Sequence, residues 1–186
     1  MGTAPLTDPE FIGYTPPKDW RVWAGLTYPG SSVPNAMVQL SPITEYHTGA
    51  GYEYEDTEIL GFTHTNKGHW NLCNIPILPI SNTENYPYKS KFSHEKENAS
   101  PAYYDVFLED FKVNVRLTST LRAGFHEYTF ENNDDKNILF DLSKSNNRVR
   151  SWNINQVGDY ELEGVQDMGR DKIYFYAILS EAIDTL

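Results

Sequence analysis

The sequence predicts an all-β protein, an antiparallel β-sandwich with long irregular loops, on three observations. Aromatic side chains make up 14% of the 186 residues, and flat or β-branched side chains pack best on a pleated surface. Several runs alternate apolar and polar residues at period two, the mark of strands buried on one face. No amphipathic stretch of helical period is long enough to make a helix. Turn signals every eight to twelve residues complete the pattern of a sandwich.

Residues 1–20 read as an irregular lead-in, because Pro5, Pro9, Pro16 and Pro17 break any helix or central strand. Residues 21–186 read as a single β-sandwich domain, one expected to be cut from something longer. Within it, Arg21 to Pro34 is irregular. A short strand is expected over Ala36–Leu40, ended by Ser41-Pro42. Tyr46 to Asp56 is a loop around His47-Thr48-Gly49-Ala50-Gly51-Tyr52. A strand over Ile59–Thr63 leads to a turn at Asn66-Lys67-Gly68. The two prolines of Ile75–Ile80 lack ladder donors, which predicts a sheet edge or a bulge. Residues 81–100 are polar and broken, so a long surface loop is expected. From Tyr103 the pattern sharpens, with a strand over Tyr104–Leu108. Val113, Val115 and Leu117 alternate with Asn114, Arg116 and Thr118, and Arg122–Phe130 reads as the antiparallel partner. Strand-like runs follow over Asn137–Leu142, Val149–Ile154, Tyr160–Val165 and Ile173–Leu179.

The formal net charge is −11. Such a surface repels phosphate backbones and anionic lipid, which argues against nucleic-acid or membrane-surface partners. Cys73 is the single cysteine, so no intrachain disulfide forms. No apolar run is long enough to span a bilayer, and no secretory signal pattern follows Met1.

The densest polar and aromatic cluster runs from Gly61 to Asn74. It holds His64, His69, Trp70, Asn71 and Cys73 together with Asn66 and Asn74. Sugar recognition uses such a set: an aromatic face stacks on pyranose C–H groups while amides and imidazoles meet hydroxyls. A long polar loop whose Trp70 plugs the core end is the competing reading. A zinc site from His64, His69 and Cys73 is imaginable, but no second Cys or His-X-His pair supports it. Cys73 as a nucleophile beside His64 or His69 competes with Cys73 as a small buried hydrophobe. Asp105, Glu109, Asp110, Glu127, Asp141 and Glu163 lie on or beside strands. They are the carboxylates from which a glycosidase pair would have to come.

At Tyr28-Pro29-Gly30, Met37–Pro42 and Gly61–Thr65 the chain resembles the N-terminal domain of glycoside hydrolase family 92, calcium-dependent exo-α-mannosidases abundant in gut Bacteroidetes. Lys91–Glu95, Ala99–Tyr104, Leu117–Thr120, Arg122–His126 and Lys172–Tyr176 continue the likeness in the same order. The resemblance implies a galactose-mutarotase-like supersandwich packed on a C-terminal (α/α)6 barrel. It implies an exported enzyme, an α-mannoside glycan as substrate, and inversion at the anomeric carbon. The acid, the base and most Ca2+ contacts would belong to the barrel, so no catalytic or metal residue is expected in this chain. Its contribution to the sugar pocket would come from the loop around His69-Trp70-Asn71, with His69, Trp70, Asn71, His64 and Cys73 as the substrate-binding residues. A stand-alone glycan-binding module, or an interaction domain without a sugar site, are the alternatives.

Overall fold

The computed structural model describes residues 13, 15, 27–67, 70–81, 87–131 and 136–186. Most of the expected lead-in lies outside these residues. The chain forms strands β1 (Ser41–Ile43), β2 (Glu58–Ile59), β3 (Gly61–Thr63), β4 (Asn66–Lys67), β5 (Trp70–Asn71) and β6 (Ile77–Ile80). Strands β7 (Ser90–Lys91), β8 (Glu97–Ser100), β9 (Tyr103–Leu108), β10 (Val113–Ser119) and β11 (Gly124–Phe130) follow. The last four are β12 (Asn137–Phe140), β13 (Ser151–Gln156), β14 (Glu161–Asp167) and β15 (Lys172–Ile178). Every pairing is antiparallel. Among the described residues there is no α-helix, only a 3-10 turn at His94–Lys96.

Two four-stranded sheets, ordered β1-β3-β6-β12 and β11-β10-β9-β8, face each other. Period two decides what lies between them. Val113, Val115 and Leu117 of β10 and Tyr104, Val106 and Leu108 of β9 are fully buried. They pack on Leu40, Phe62, Leu78 and Ile80 from the other side. Each such side chain contributes about 1.5–3 kcal/mol by leaving water. The alternate residues form a solvated charge row in which Arg116 sits between Asp105 and Glu127. A third sheet, β13-β14-β15, closes over a second core of Ile75, Ile77 and Leu142, to which it brings Ile154, Ile173 and Phe175.

The strands from β9 onward match their expected ranges to within two or three residues. The first half departs from expectation, for physical reasons. Ala36–Leu40 is not a strand, because its amides bond to three different segments: Met37 to Leu121, Gln39 to His64 and Leu40 to Ser31. Strand β1 lies instead where Ser41-Pro42 was expected to end one. Asn66 and Lys67 are not a turn but pair with Asn71 and Trp70. Strand β6 is interior to its sheet, not an edge. Its ladder to β3 consists of Phe62 opposite Ile77 and stops short of Pro79, so no donor is missed there. The expected loop over 81–100 carries β7, the 3-10 turn and β8, pinned by buried Ser90 and Phe92.

Candidate functional site

Strand β5 sets the geometry of the candidate site. Neighbouring residues on a strand point to opposite faces. Asn71 therefore turns inward and is fully buried, while Trp70 turns outward and keeps 36% of its surface exposed. His69 lies outside the described residues.

The amides behind Trp70 are spent on the protein itself. Asn71 Nδ2 donates to the Ala50 carbonyl at 3.1 Å, and Asn71 Oδ1 accepts from the Cys73 amide at 2.8 Å. The Asn71 carbonyl accepts from Asn146 Nδ2, and Asn146 Oδ1 takes the His47 amide. Asn74, also fully buried, donates to Ser145 Oγ and Gln166 Oε1 at 3.0 Å each and accepts from Thr65 Oγ1. Gln166 is saturated: Oε1 also accepts from the Ile75 amide, and Nε2 donates to the Leu142 and Lys144 carbonyls. Such a network resists distortion because each buried donor left unpaired costs about 1–3 kcal/mol. Cys73 and Ile75 stand at φ 51° and 50°, a left-handed conformation unusual for a β-branched residue. The amide bonds to Asn71 and Gln166 hold them there. Gly51, at φ 68°, takes a backbone conformation that favours glycine, and a Cβ there would press on the Asn71 and Cys73 side chains at 3.0 Å.

The five sequence candidates therefore divide. Trp70 alone of the four described presents a large surface to solvent. Asn71 and Cys73 are wholly buried, so in this conformation they offer no atom to a ligand. Burial pushes the Cys73 thiol up to about 12, which leaves it protonated and a poor nucleophile or metal ligand at neutral pH. His64 Nδ1 donates to the Ile75 carbonyl at 2.9 Å. A carbonyl only accepts, so Nδ1 carries the proton, and with burial keeping His64 neutral its Nε2 accepts from His126 Nε2–H at 3.0 Å. His126 Nδ1 then accepts from the Tyr128 hydroxyl at 2.8 Å. Every proton in this chain has one place, and both imidazoles are neutral.

Burial lowers His64 to about 4, and burial with the neighbouring His64 drives His126 well below the ordinary histidine value. An unfolded histidine titrates near 6.5. Between about pH 6.5 and 4 the unfolded chain takes up protons that the folded chain refuses. Stability is therefore full above about 6.5 and falls below it, at up to ~1.4 kcal/mol per pH unit per histidine. Urea midpoints from pH 7 to 5 should show this slope. A His64→Phe/His126→Phe double variant should flatten it, and an equal slope in the double variant would refute the assignment.

No three His, Cys, Asp or Glu side chains gather to hold a metal among the described residues. With both His64 nitrogens engaged, these residues fit neither zinc nor calcium. The surface carboxylates have local uses: Asp105 accepts from Asn98, Asp110 from the Lys91 amide and Asp141 from Ser143. The sequence reading missed Ser145, Asn146 and Gln166 as the partners of the loop. It also missed His126 and Tyr128, whose signal was present as two polar aromatics one strand period apart.

The described residues form an all-β domain of antiparallel sheets. The chain matches the glycosyl hydrolase family 92 N-terminal domain over residues 10–186 and belongs to that family. It is similar to a family GH92 alpha-mannosidase from Bacteroides thetaiotaomicron, at 28% identity and TM-score 0.80, over 86% of this chain and 24% of that one. A structure of that enzyme in complex with mannoimidazole aligns over 98% of this chain and 24% of that one, at 25% identity and TM-score 0.82. A family GH92 inverting mannosidase from the same organism aligns at 26% identity and TM-score 0.64, over 76% of this chain and 19% of that one. The chain thus spans about a quarter of the length of the solved enzymes it matches. A search of curated protein sequences gave no match.

Proposed function

We propose that this chain is the β-domain of an exported α-mannosidase, where it completes the mannoside pocket and docks a C-terminal (α/α)6 catalytic barrel. The observation that carries the proposal is Trp70, an exposed indole on a hairpin whose backbone is fixed from behind by buried amides. An indole held this way stacks on a pyranose with little entropy left to lose. Asn71, Cys73 and His64 serve the pocket by positioning this ring, and His69 adjoins it in sequence. The outer face of β15 suits docking. Tyr174, Tyr176 and Ile178 project there with 73%, 58% and 72% of their surfaces open, more apolar area in one stripe than a solvated sheet face needs.

The acid and base for inverting hydrolysis, and any Ca2+ the enzyme uses, belong in this proposal to the barrel. The 186-residue chain with calcium should therefore not turn over an aryl α-mannoside above background. Activity abolished by one carboxylate substitution in this chain would overturn the assignment. Tight glycan binding by the chain alone would favour a stand-alone binding module.

A further inference from the structure

Asn147, Arg148, Val149, Arg150, Met168, Arg170 and Asp171 line an open hollow of about 710 Å³. Three of the chain's six arginines meet there, on a protein whose net charge is −11. None of the three forms an ion pair among the described residues. Asp167 feels the Arg150 charge, but its oxygens are taken by Lys172 at 3.1 Å and the Gly169 amide at 2.6 Å, so it forms no direct pair with the arginine. Asp171 is the one acid on the hollow's wall.

The hollow is also built. Its floor is the β14–β15 turn, closed by Met168 N–H to the Asp171 carbonyl at 2.9 Å. Gly169 stands in the turn at φ 91°. A Cβ there would lie 2.3 Å from Arg150 Nε and 2.4 Å from Cζ, so the Arg150 guanidinium rests on bare glycine backbone. The Arg150 amide donates to the Asp167 carbonyl at 2.7 Å, which fixes the arm at its root. Met168 Sδ accepts from Asn74 Nδ2, which ties the same turn to the buried network behind Trp70.

We propose that Arg148, Arg150 and Arg170 form a binding site for a tetrahedral oxyanion, phosphate or sulfate. Like charges brought together raise the local potential, and a doubly charged anion relieves it. The planar guanidinium fork matches the oxygens of such a group in pairs, which a scattered set of lysines does not. Asp171 on the wall opposes a polyanion by like-charge repulsion and weakens the hold on a small anion.

Amide NMR shifts of the 186-residue chain, titrated with sodium phosphate and separately with sodium sulfate against sodium chloride at matched ionic strength, test the site. Saturating shifts confined to residues 147–150 and 168–171 are expected with phosphate or sulfate and not with chloride. Saturation by both identifies a general oxyanion site, and saturation by one names the anion. Arg150→Gln and Arg170→Gln should each weaken binding by about 10-fold. Lys89→Gln, on a distant ion pair with Glu58, should leave it unchanged. Shifts that grow without saturation, that chloride reproduces, or that survive both arginine substitutions would overturn the proposal.

Discussion

Replacing Gln166 with Leu should destabilise the chain by about 3–5 kcal/mol at nearly unchanged side-chain volume. Gln166 is fully buried on β14, and its amide makes four bonds. The substitution strands the Leu142 and Lys144 carbonyls and the Ile75 amide, while Asn74 keeps Ser145 and Thr65 as partners. Each stranded group costs about 1–3 kcal/mol, and partial access to water brings the sum toward the lower end. Ile75 then loses the bond that holds its left-handed backbone, so residues 72–75 should relax first. Urea unfolding with an unchanged m-value is the measurement. A loss under ~1 kcal/mol would mean that the network is not what fixes the loop. Because a domain of this size has about 5–15 kcal/mol to lose, the variant should still fold at low temperature.

What was legible in the sequence followed the range over which its physics acts. Strand β10 could be read because Val113, Val115 and Leu117 alternate within one segment, and alternation is a local property. Ala36–Leu40 misled because it has strand composition but bonds to three separate segments, at Ser31, His64 and Leu121, rather than to one partner strand. Pro76 and Pro79 pointed to an edge because their missing donors are visible in sequence. The early end of the β3 ladder, which makes an interior place harmless, is not. The Gly61–Asn74 cluster was legible as dense polar chemistry. Its direction was not, because the groups that satisfy Asn74 and Ile75 sit 71 to 92 residues further along. Asn71 and Asn74 are for that reason spent on protein groups, which the local sequence does not show. Trp70 stood out in either reading, and strand parity gives it the outward place once Asn71 is known to be buried.

The second large effect belongs to Trp70. In the full-length enzyme, Trp70→Ala should lower kcat/KM for an α-mannoside by roughly 10–100-fold, the scale of one lost aromatic stack with its ordered surroundings. Folding should change little, because the ring is more than a third exposed and the hairpin is held by Asn71 and Asn146 rather than by the indole. Trp70→Phe should recover part of the loss, since a smaller aromatic face still stacks. Measuring kcat/KM and urea stability together on wild type, Trp70→Ala and Trp70→Phe separates the pocket role from a packing role. The account predicts a 10–100-fold fall in kcat/KM with stability changed by less than ~1 kcal/mol. An unchanged kcat/KM beside a large loss of stability would contradict it and make Trp70 a structural plug.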